Sequence, residues 1–203
     1  MPADMILISR FPTKPGKAGG LAAAMPSTPD RRILVALEGD EVVTLEPISA
    51  HDSLAALRDT VSGLAGDLAS WLAGDIRREL LAFVEAPKPC EGLLPDTPFL
   101  QLRHVEVKPD RMGGYRKWRD ETIFDVVRGA EEVESFLAYH STVSGQPGVM
   151  FVSGFSVDPT TYGAVFASER YRTIVQEAGD QFITGGTDGL YTKIYQAPTQ
   201  LAA

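Results

Sequence analysis

Two of the three histidines lie on segments that read as strands of one sheet. His104 lies in "FLQLRHVEV" and His140 in "FLAYHSTV", and both runs are rich in apolar and β-forming residues. An unperturbed imidazole titrates near neutral pH, so either side chain could take or give a proton in catalysis. Both are therefore candidate general bases, whereas His51 lies at a predicted helix start.

The spacing of the two histidines limits the chemistry that they could share. Alternation along the first strand puts His104 and Glu106 on one face and Arg103 on the other. If His104 and His140 face the same cavity, two strand spacings separate them by about 10 Å. A small substrate could bridge that gap, but one metal ion could not, since its bonds are about 2 Å long. We expect a shared cavity without a metal. The alternative is that His104 and His140 are ordinary residues of the sheet, with satisfied hydrogen bonds and no role in catalysis.

Other side chains could complete such a site. Arg103 or Lys193 could hold an anionic or enolate oxygen, which makes Arg103 the third catalytic candidate beside the two histidines. Aromatic side chains could line a pocket for an aromatic substrate, although tyrosines also pack in cores and at their rims. The predicted substrate-binding residues are Tyr139, Glu106, Trp118, Tyr191 and Tyr195.

The second half of the chain, which carries these residues, has the element order β-α-β-β-α-β. A strand over 99–107 precedes apolar residues at helical spacing from Met112 to Val127. Two strands flank the turn Ser144–Gly148. Asp158-Pro159 is typical of a helix start, and we predict a break in that helix near Ser168. "GLYTKIYQ" is the last strand.

The first half repeats this order. Its strands are "MILISRF", "RRILVALEG", "EVVTLEPI" and "ELLAFVEAP", with a short helix at "KAGGLAAAM" and a long one from His51 to Gly74. "KPGKAGG" and "KPDRMGG" match at equivalent places, which indicates an internal repeat. We predict a first, structural repeat over 1–88, a proline-rich linker over 89–98 and a second repeat over 99–203 that carries the site.

The apolar strands of the first half predict how the two units meet. A β-α-β-β-α-β unit forms an antiparallel sheet with both helices on one face. Strands such as Ile6–Ile8 are apolar throughout, whereas a sheet with one wet face would alternate. The other sheet is the natural cover. The predicted fold is α+β, with two tandem ferredoxin-like units whose antiparallel sheets pack into an α/β barrel.

The segments "LQLRHVEVKPDRMGGYRKWRDETI" and "DPTTYGAVFASERYRTIV" resemble the dimeric α/β-barrel superfamily, which includes antibiotic-biosynthesis monooxygenase-like proteins. The resemblance covers nearly the whole chain as a fused tandem repeat and rests on element order. It implies an enzyme of secondary or aromatic metabolism. The implied type is a cofactor-independent oxygenase, cyclase or isomerase with histidine acid–base chemistry on an apolar, aromatic or polyketide-like substrate. A haem protein with His104 or His140 as ligand, and a non-catalytic binding or assembly module, are the alternatives.

Composition limits the partners. A net charge of -8 argues against nucleic acid, which requires a basic surface. No run reaches the ~18 apolar residues that span a bilayer, and the N-terminus lacks the basic region of a signal peptide. The single cysteine, Cys90, allows no internal disulfide and fits a reducing cytoplasm. We expect a cytoplasmic protein with a small-molecule substrate, no cofactor and a pseudo-dimer within the chain. The sequence does not decide whether the chain also forms a homodimer.

Overall fold

A computed structural model describes residues 1–49, 51–52, 55, 57–58, 68–145 and 148–198. The strands are β1 Met5–Pro12, β2 Arg32–Ala36, β3 Glu41–Ile48, β4 Arg77–Lys88, β5 Phe99–Val105, β6 Ser135–Val143, β7 Val149–Phe155 and β8 Leu190–Gln196. The helices are α1 Ala18–Ala24, α2 Met112–Glu121, α3 Ile123–Gly129, α4 Pro159–Val165 and α5 Glu169–Gln181. The long helix predicted from His51 to Gly74 lies mostly outside the described residues, as do Gln146 and Pro147 of the predicted turn.

The strands form one closed antiparallel barrel in the order β1-β3-β2-β8-β5-β7-β6-β4. Its first half has the order β4-β1-β3-β2 and its second half the equivalent order β8-β5-β7-β6. The halves join through β4–β6 along most of both strands and through β2–β8 at two residue pairs only. The predicted α+β fold, with two ferredoxin-like sheets closed into a barrel, is confirmed. Within the described residues, no helix is long and apolar enough to cross a membrane.

The barrel buries apolar side chains on both sides of its wall. The inner core takes residues from both halves, among them Ile6, Leu45, Leu102 and Val152. A second core lies between the second-half sheet and α2 to α5, and a third lies under α1. The uninterrupted apolar strands of the first half therefore reflect burial on both faces, as predicted.

Local signals in the second half position its helices. The Asp158 carboxylate accepts from the Thr160 N–H at 2.8 Å and caps α4, and Ser168 caps α5 through the Tyr171 N–H at 3.2 Å. The predicted break near Ser168 is confirmed. A further break separates α2 from α3 at Thr122, whose hydroxyl donates back to the Trp118 carbonyl at 2.7 Å and competes with the helical backbone.

Residues 89–98, which contain no helix or strand, lie across one end of the barrel. The Ala3 N–H donates to the Leu93 carbonyl at 2.9 Å, and Arg32 donates to the carbonyls of Pro95 and Thr97 at 2.7 and 2.6 Å. Leu94 is buried in the inner core. This segment closes the barrel at that end. The division of the chain into repeats and linker stays a prediction.

Gly154 in β7 is packed tightly against this closing segment. A Cβ there would lie 2.6 Å from Ser135 Oγ, 2.7 Å from Thr97 Oγ1 and 2.9 Å from Pro95 Cβ. We expect Gly154→Ala to lower the free energy of unfolding by about 1–3 kcal/mol in urea denaturation. Gly163→Ala is the matched control, since a Cβ there meets no described atom within 4 Å, and it should not destabilise. A fully stable Gly154→Ala would contradict this packing.

Candidate functional site

Strand register places the two candidate histidines on opposite sides of the barrel wall. His104 pairs with Met150 of β7, and Met150 pairs with Tyr139 of β6. Paired residues point to the same face, so His104 shares a face with Tyr139 and His140 points the other way. Met150 and Tyr139 belong to the inner core, whereas Val149, the partner of His140, belongs to the helix-side core. The prediction of one shared cavity is wrong.

The remaining predicted residues divide in the same way. Arg103 and Trp118 lie on the helix side with His140, and Trp118 packs against Tyr115 and Phe182. Tyr139 and Tyr195 lie in the inner core, and Tyr191 is half exposed at its open end. Glu106 borders a shallow cleft there with His104 and Tyr191. A single aromatic pocket that contains Trp118 and the three tyrosines is therefore not formed, because the sheet lies between them.

The helix side contains a buried ion pair that joins the two halves. Arg119 of α2 is fully buried, and its Nε donates to Glu85 Oε1 at 3.1 Å while its Nη2 donates to the same oxygen. The rings of Tyr115, Phe124 and Phe151 lie 5.2 to 5.7 Å from the guanidinium carbon. Glu85 belongs to β4 of the first half. Both halves thus build this site.

Two sequence signals pointed to this pair, and neither was used in the prediction. Arg119 follows Tyr115 by four residues, so it occupies the inward stripe of α2 where an apolar residue is the usual choice. Glu85 is a charge within the apolar run "LLAFVEAP". Buried charges require partners, so an out-of-pattern cation and an out-of-pattern anion are candidates for each other.

The side chain of His140 is half buried beside this pair. Its Nε2 atom is buried and has no hydrogen-bond partner among the described residues. Burial lowers the pKa of His140 from its ordinary value, the positive charges of Arg119 and Arg116 lower it further, and Glu85 partly opposes them. The imidazole is therefore neutral at pH 7, which suits a proton acceptor.

Tyr115 adds a hydrogen-bond donor to the cluster. Its hydroxyl is fully buried beside the Arg119 guanidinium, and within the described part of the chain neither this hydroxyl nor Arg119 Nη1 forms a hydrogen bond of good geometry. Burial raises the pKa of Tyr115 well above its ordinary value, and Arg119 and Arg103 only partly oppose this. The phenol thus stays protonated. Two donors and the His140 acceptor are left unpaired in one region, which is the pattern of a site awaiting a polar ligand.

A small cavity extends from Tyr115 along the sheet towards Arg103. Its volume is about 10 Å³, room for one water molecule, and its walls include Val105, Ile123, Phe151 and Ile174. Arg103 donates to the Tyr171 hydroxyl at 2.6 Å and to Thr192 Oγ1 at 2.9 Å. No carboxylate among the described residues forms an ion pair with Arg103, so its charge is free to attract an anion.

The lowered pKa of His140 predicts an acid-sensitive contribution to stability. Protonation of His140 is less favourable in the folded state than in the unfolded chain. The unfolded chain therefore binds more protons once the pH falls below the pKa of about 6.5 that His140 has when the chain is unfolded. This contribution is complete above that pH and is lost as the pH falls towards the lower folded pKa. We expect His140→Gln to flatten the decline in unfolding free energy between about pH 6.5 and 5. Urea denaturation across that range measures it. His51→Gln, at an exposed residue, is the control and should leave the decline unchanged. If His140→Gln declines as steeply as the wild type, the lowered pKa of His140 is contradicted.

No family model and no curated protein sequence matches the chain. Solved structures do match. A candidate monooxygenase of Fusobacterium nucleatum superposes with a TM-score of 0.64 at 14% identity, over 98% of this chain and 94% of that one. The chain has the dimeric α/β-barrel fold. The resemblance predicted from the sequence is confirmed at the level of the fold.

Two further structures show the range of proteins built on the dimeric α/β barrel. An anthrone oxidase-like protein matches with a TM-score of 0.61 at 12% identity, over 98% of this chain and 95% of that one. The haem-degrading enzyme of Listeria monocytogenes matches with a TM-score of 0.56 at 6% identity, over 96% and 99%. At such identities the likeness establishes the fold and leaves the reaction to be argued from the site.

Proposed function

We propose that this protein is a small-molecule enzyme that removes a proton from an apolar, enolisable or phenolic substrate on the helix side of its second-half sheet. Three unpaired buried atoms carry the proposal: Arg119 Nη1, Tyr115 Oη and His140 Nε2. The first two donate hydrogen bonds, and the third accepts one when the imidazole proton is on Nδ1. This combination suits an acid whose oxygen becomes negative as its proton leaves.

The residues divide the work of proton removal. Arg119 Nη1 and the Tyr115 hydroxyl bind the substrate oxygen, and His140 Nε2 takes the proton from the neighbouring carbon or from the oxygen itself. The positive charge of Arg119 stabilises the resulting enolate or phenolate, and the surrounding aromatic rings strengthen that interaction by excluding water. Glu85 holds Arg119 in place and favours the imidazolium ion.

An enolate is the shared first intermediate of several reactions. Returning the proton to another carbon isomerises the substrate, attack on a carbonyl cyclises it, and reaction with oxygen oxidises it. The likeness to an anthrone oxidase-like protein favours the last of these, and the fold admits all three. Arg103, at the far end of the cavity, is placed to bind a second oxygen of the substrate.

Substrate entry requires α2 and α3 to move away from α5. The cavity has room for only one water, and two exposed polar contacts link its helices: Trp118 Nε1 to Glu177 Oε2 at 3.4 Å and Arg170 Nη2 to Asp125 Oδ2 at 2.7 Å. Exposed pairs of this kind contribute at most about 1 kcal/mol each. Opening along this line breaks these two weak polar contacts, and it also separates apolar contacts of the helix-side core such as that of Trp118 with Phe182.

The residues present do not fit haem, the alternative cofactor. A porphyrin needs a wide flat slot beside its axial ligand. On the helix side, the cavity has room for one water molecule, so a porphyrin would require far more of the surrounding core to move than a small substrate does. His104 is 5% exposed and borders only a shallow cleft at the open end of the barrel. We derive no step through haem.

The second candidate function is a binding module without chemistry, which the small closed cavity favours.

Deuterium exchange separates the two functions. A panel of enolisable aromatic ketones, anthrone among them, is incubated with the protein in D₂O without oxygen, and wash-in of deuterium is followed by NMR. We expect catalysed exchange that falls in Tyr115→Phe, which keeps the ring and loses the donor. Binding without exchange would favour the binding module. If the protein neither binds nor exchanges any ketone of the panel, the proposed enzyme is refuted.

A further inference from the structure

The open end of the barrel, away from the closing segment, carries charged side chains that point inward. Arg10 of β1 follows the inner residues Ile6 and Ile8, and Glu79 of β4 precedes the inner residue Leu81. At this end the inner face changes from apolar to charged. We call the region formed by Arg10, Glu41, Glu79, Lys193 and the Tyr195 hydroxyl the barrel mouth.

Most of the charges in the barrel mouth satisfy one another. Arg10 Nη1 donates to the Tyr195 hydroxyl at 2.6 Å, and that hydroxyl donates to Glu41 Oε1 at 2.5 Å. Lys193 Nζ lies 3.3 Å from the same Glu41 oxygen. Glu41 is therefore neutralised by a lysine and hydrogen-bonded by a tyrosine.

Glu79 is the exception. It is 7% exposed, and its Oε1 lies 3.7 Å from Arg10 Nε, a distance too long for a hydrogen bond. Its Oε2 is buried and has no hydrogen-bond partner among the described residues. A buried carboxylate oxygen without a donor is costly, so this atom calls for a donor from outside the chain.

The surroundings of Glu79 offer room for such a donor. Glu79 borders a cleft of about 470 Å³ that Arg10, Glu41, Asp75, Arg77 and Tyr191 also line. Ser141 of β6 pairs with Leu81, two residues from Glu79, so its side chain emerges on the same inner face of the neighbouring strand. Its hydroxyl is also buried and, in the described part of the chain, unpartnered. The cleft therefore reaches Glu79, and the adjacent strand carries a second unpartnered acceptor on the same face.

We propose that the barrel mouth binds a small molecule that carries a primary ammonium group. The ammonium ion supplies the hydrogen-bond donor that Glu79 Oε2 lacks, and its three N–H donors can serve Glu79 Oε2 and the Ser141 hydroxyl together. The half-exposed ring of Tyr191 covers the apolar part of the ligand at the rim of the cleft. Among the described residues, no group of three or more histidine, cysteine or acidic side chains converges on a metal position, which favours an organic cation. This site is separate from the helix-side cavity and does not depend on its function.

Titration with propylammonium chloride, followed by amide chemical shifts at constant ionic strength, tests the inference on the full chain. We expect saturable shifts around the barrel mouth. Three matched probes dissect the recognition: 1-propanol lacks the charge, tetramethylammonium lacks the N–H donors, and potassium chloride lacks both the donors and the carbon chain. None of the three should reproduce the shifts. Equal shifts with potassium would overturn the inference in favour of a simple cation, and no saturable binding of propylammonium would also overturn it.

Variants complete the test. Glu79→Gln keeps the shape and removes the charge, and should weaken propylammonium binding at least about tenfold, because hydrogen bonds to charged groups are the strong ones. Asp75→Asn, at an exposed carboxylate of the same cleft, should change the affinity less than about twofold. If Glu79→Gln does not fold, Ser141→Ala gives the same test, with a loss of a few fold. If the variant that is tested folds and binds propylammonium as tightly as the wild type, the proposed site is refuted.

Discussion

Replacing His140 with glutamine is expected to lower the rate of deuterium exchange into the best ketone of the panel by about 10²- to 10⁴-fold. Glutamine fills a similar volume and cannot accept the proton, while Arg119 and Tyr115 still bind the substrate oxygen. The loss should therefore appear in kcat with little change in KM. In the wild-type protein, kcat/KM should rise with pH through the lowered pKa of His140 and then level off, and the variant should lose that rise.

His104→Gln is the informative comparison for this prediction. Both histidines lie on strands of the same sheet, but His104 faces the inner core and is 5% exposed. If the helix side is the active side, His104→Gln should retain the exchange rate of the wild type per folded molecule. The opposite result, with activity lost in His104→Gln and kept in His140→Gln, would move the reaction to the inner face of the barrel and refute the proposed function.

The fold could be predicted because its signals are local and redundant. The order of strands and helices follows from periodicity and from helix starts such as Asp158-Pro159, and the closure of the two sheets follows from strands such as Ile6–Ile8 that have no polar face. The break at Thr122 was missed, because a helical pattern does not reveal where a hydroxyl will bond back to the helix.

The site could be predicted only in part, and the reason is strand register. Alternation correctly separates Arg103 from His104, since both lie on one strand. Whether His104 and His140 share a face depends on two further pairings, β5 with β7 and β7 with β6. A one-residue change in either would reverse the answer, and the sequence does not encode register as directly as it encodes alternation. Arg103 and His140 do share the helix side.

Glu85→Gln is expected to destabilise the protein by about 3 kcal/mol, because it leaves the fully buried Arg119 without a counter-charge. The estimate is at the low end for a buried pair, since a third of the Glu85 side chain is exposed. Urea denaturation measures the loss. Asp120→Asn removes the carboxylate of the exposed pair Arg128–Asp120 and should cost less than about 1 kcal/mol.

The double variant Glu85→Gln/Arg119→Met then separates stability from catalysis. Methionine fills the buried space without a charge, so the double variant should recover most of the stability that Glu85→Gln loses. It should not recover the exchange rate, because the donor for the substrate oxygen is gone. If Arg119 serves only as a structural link between β4 and α2, stability and activity should return together, and that result would remove the arginine from the proposed mechanism.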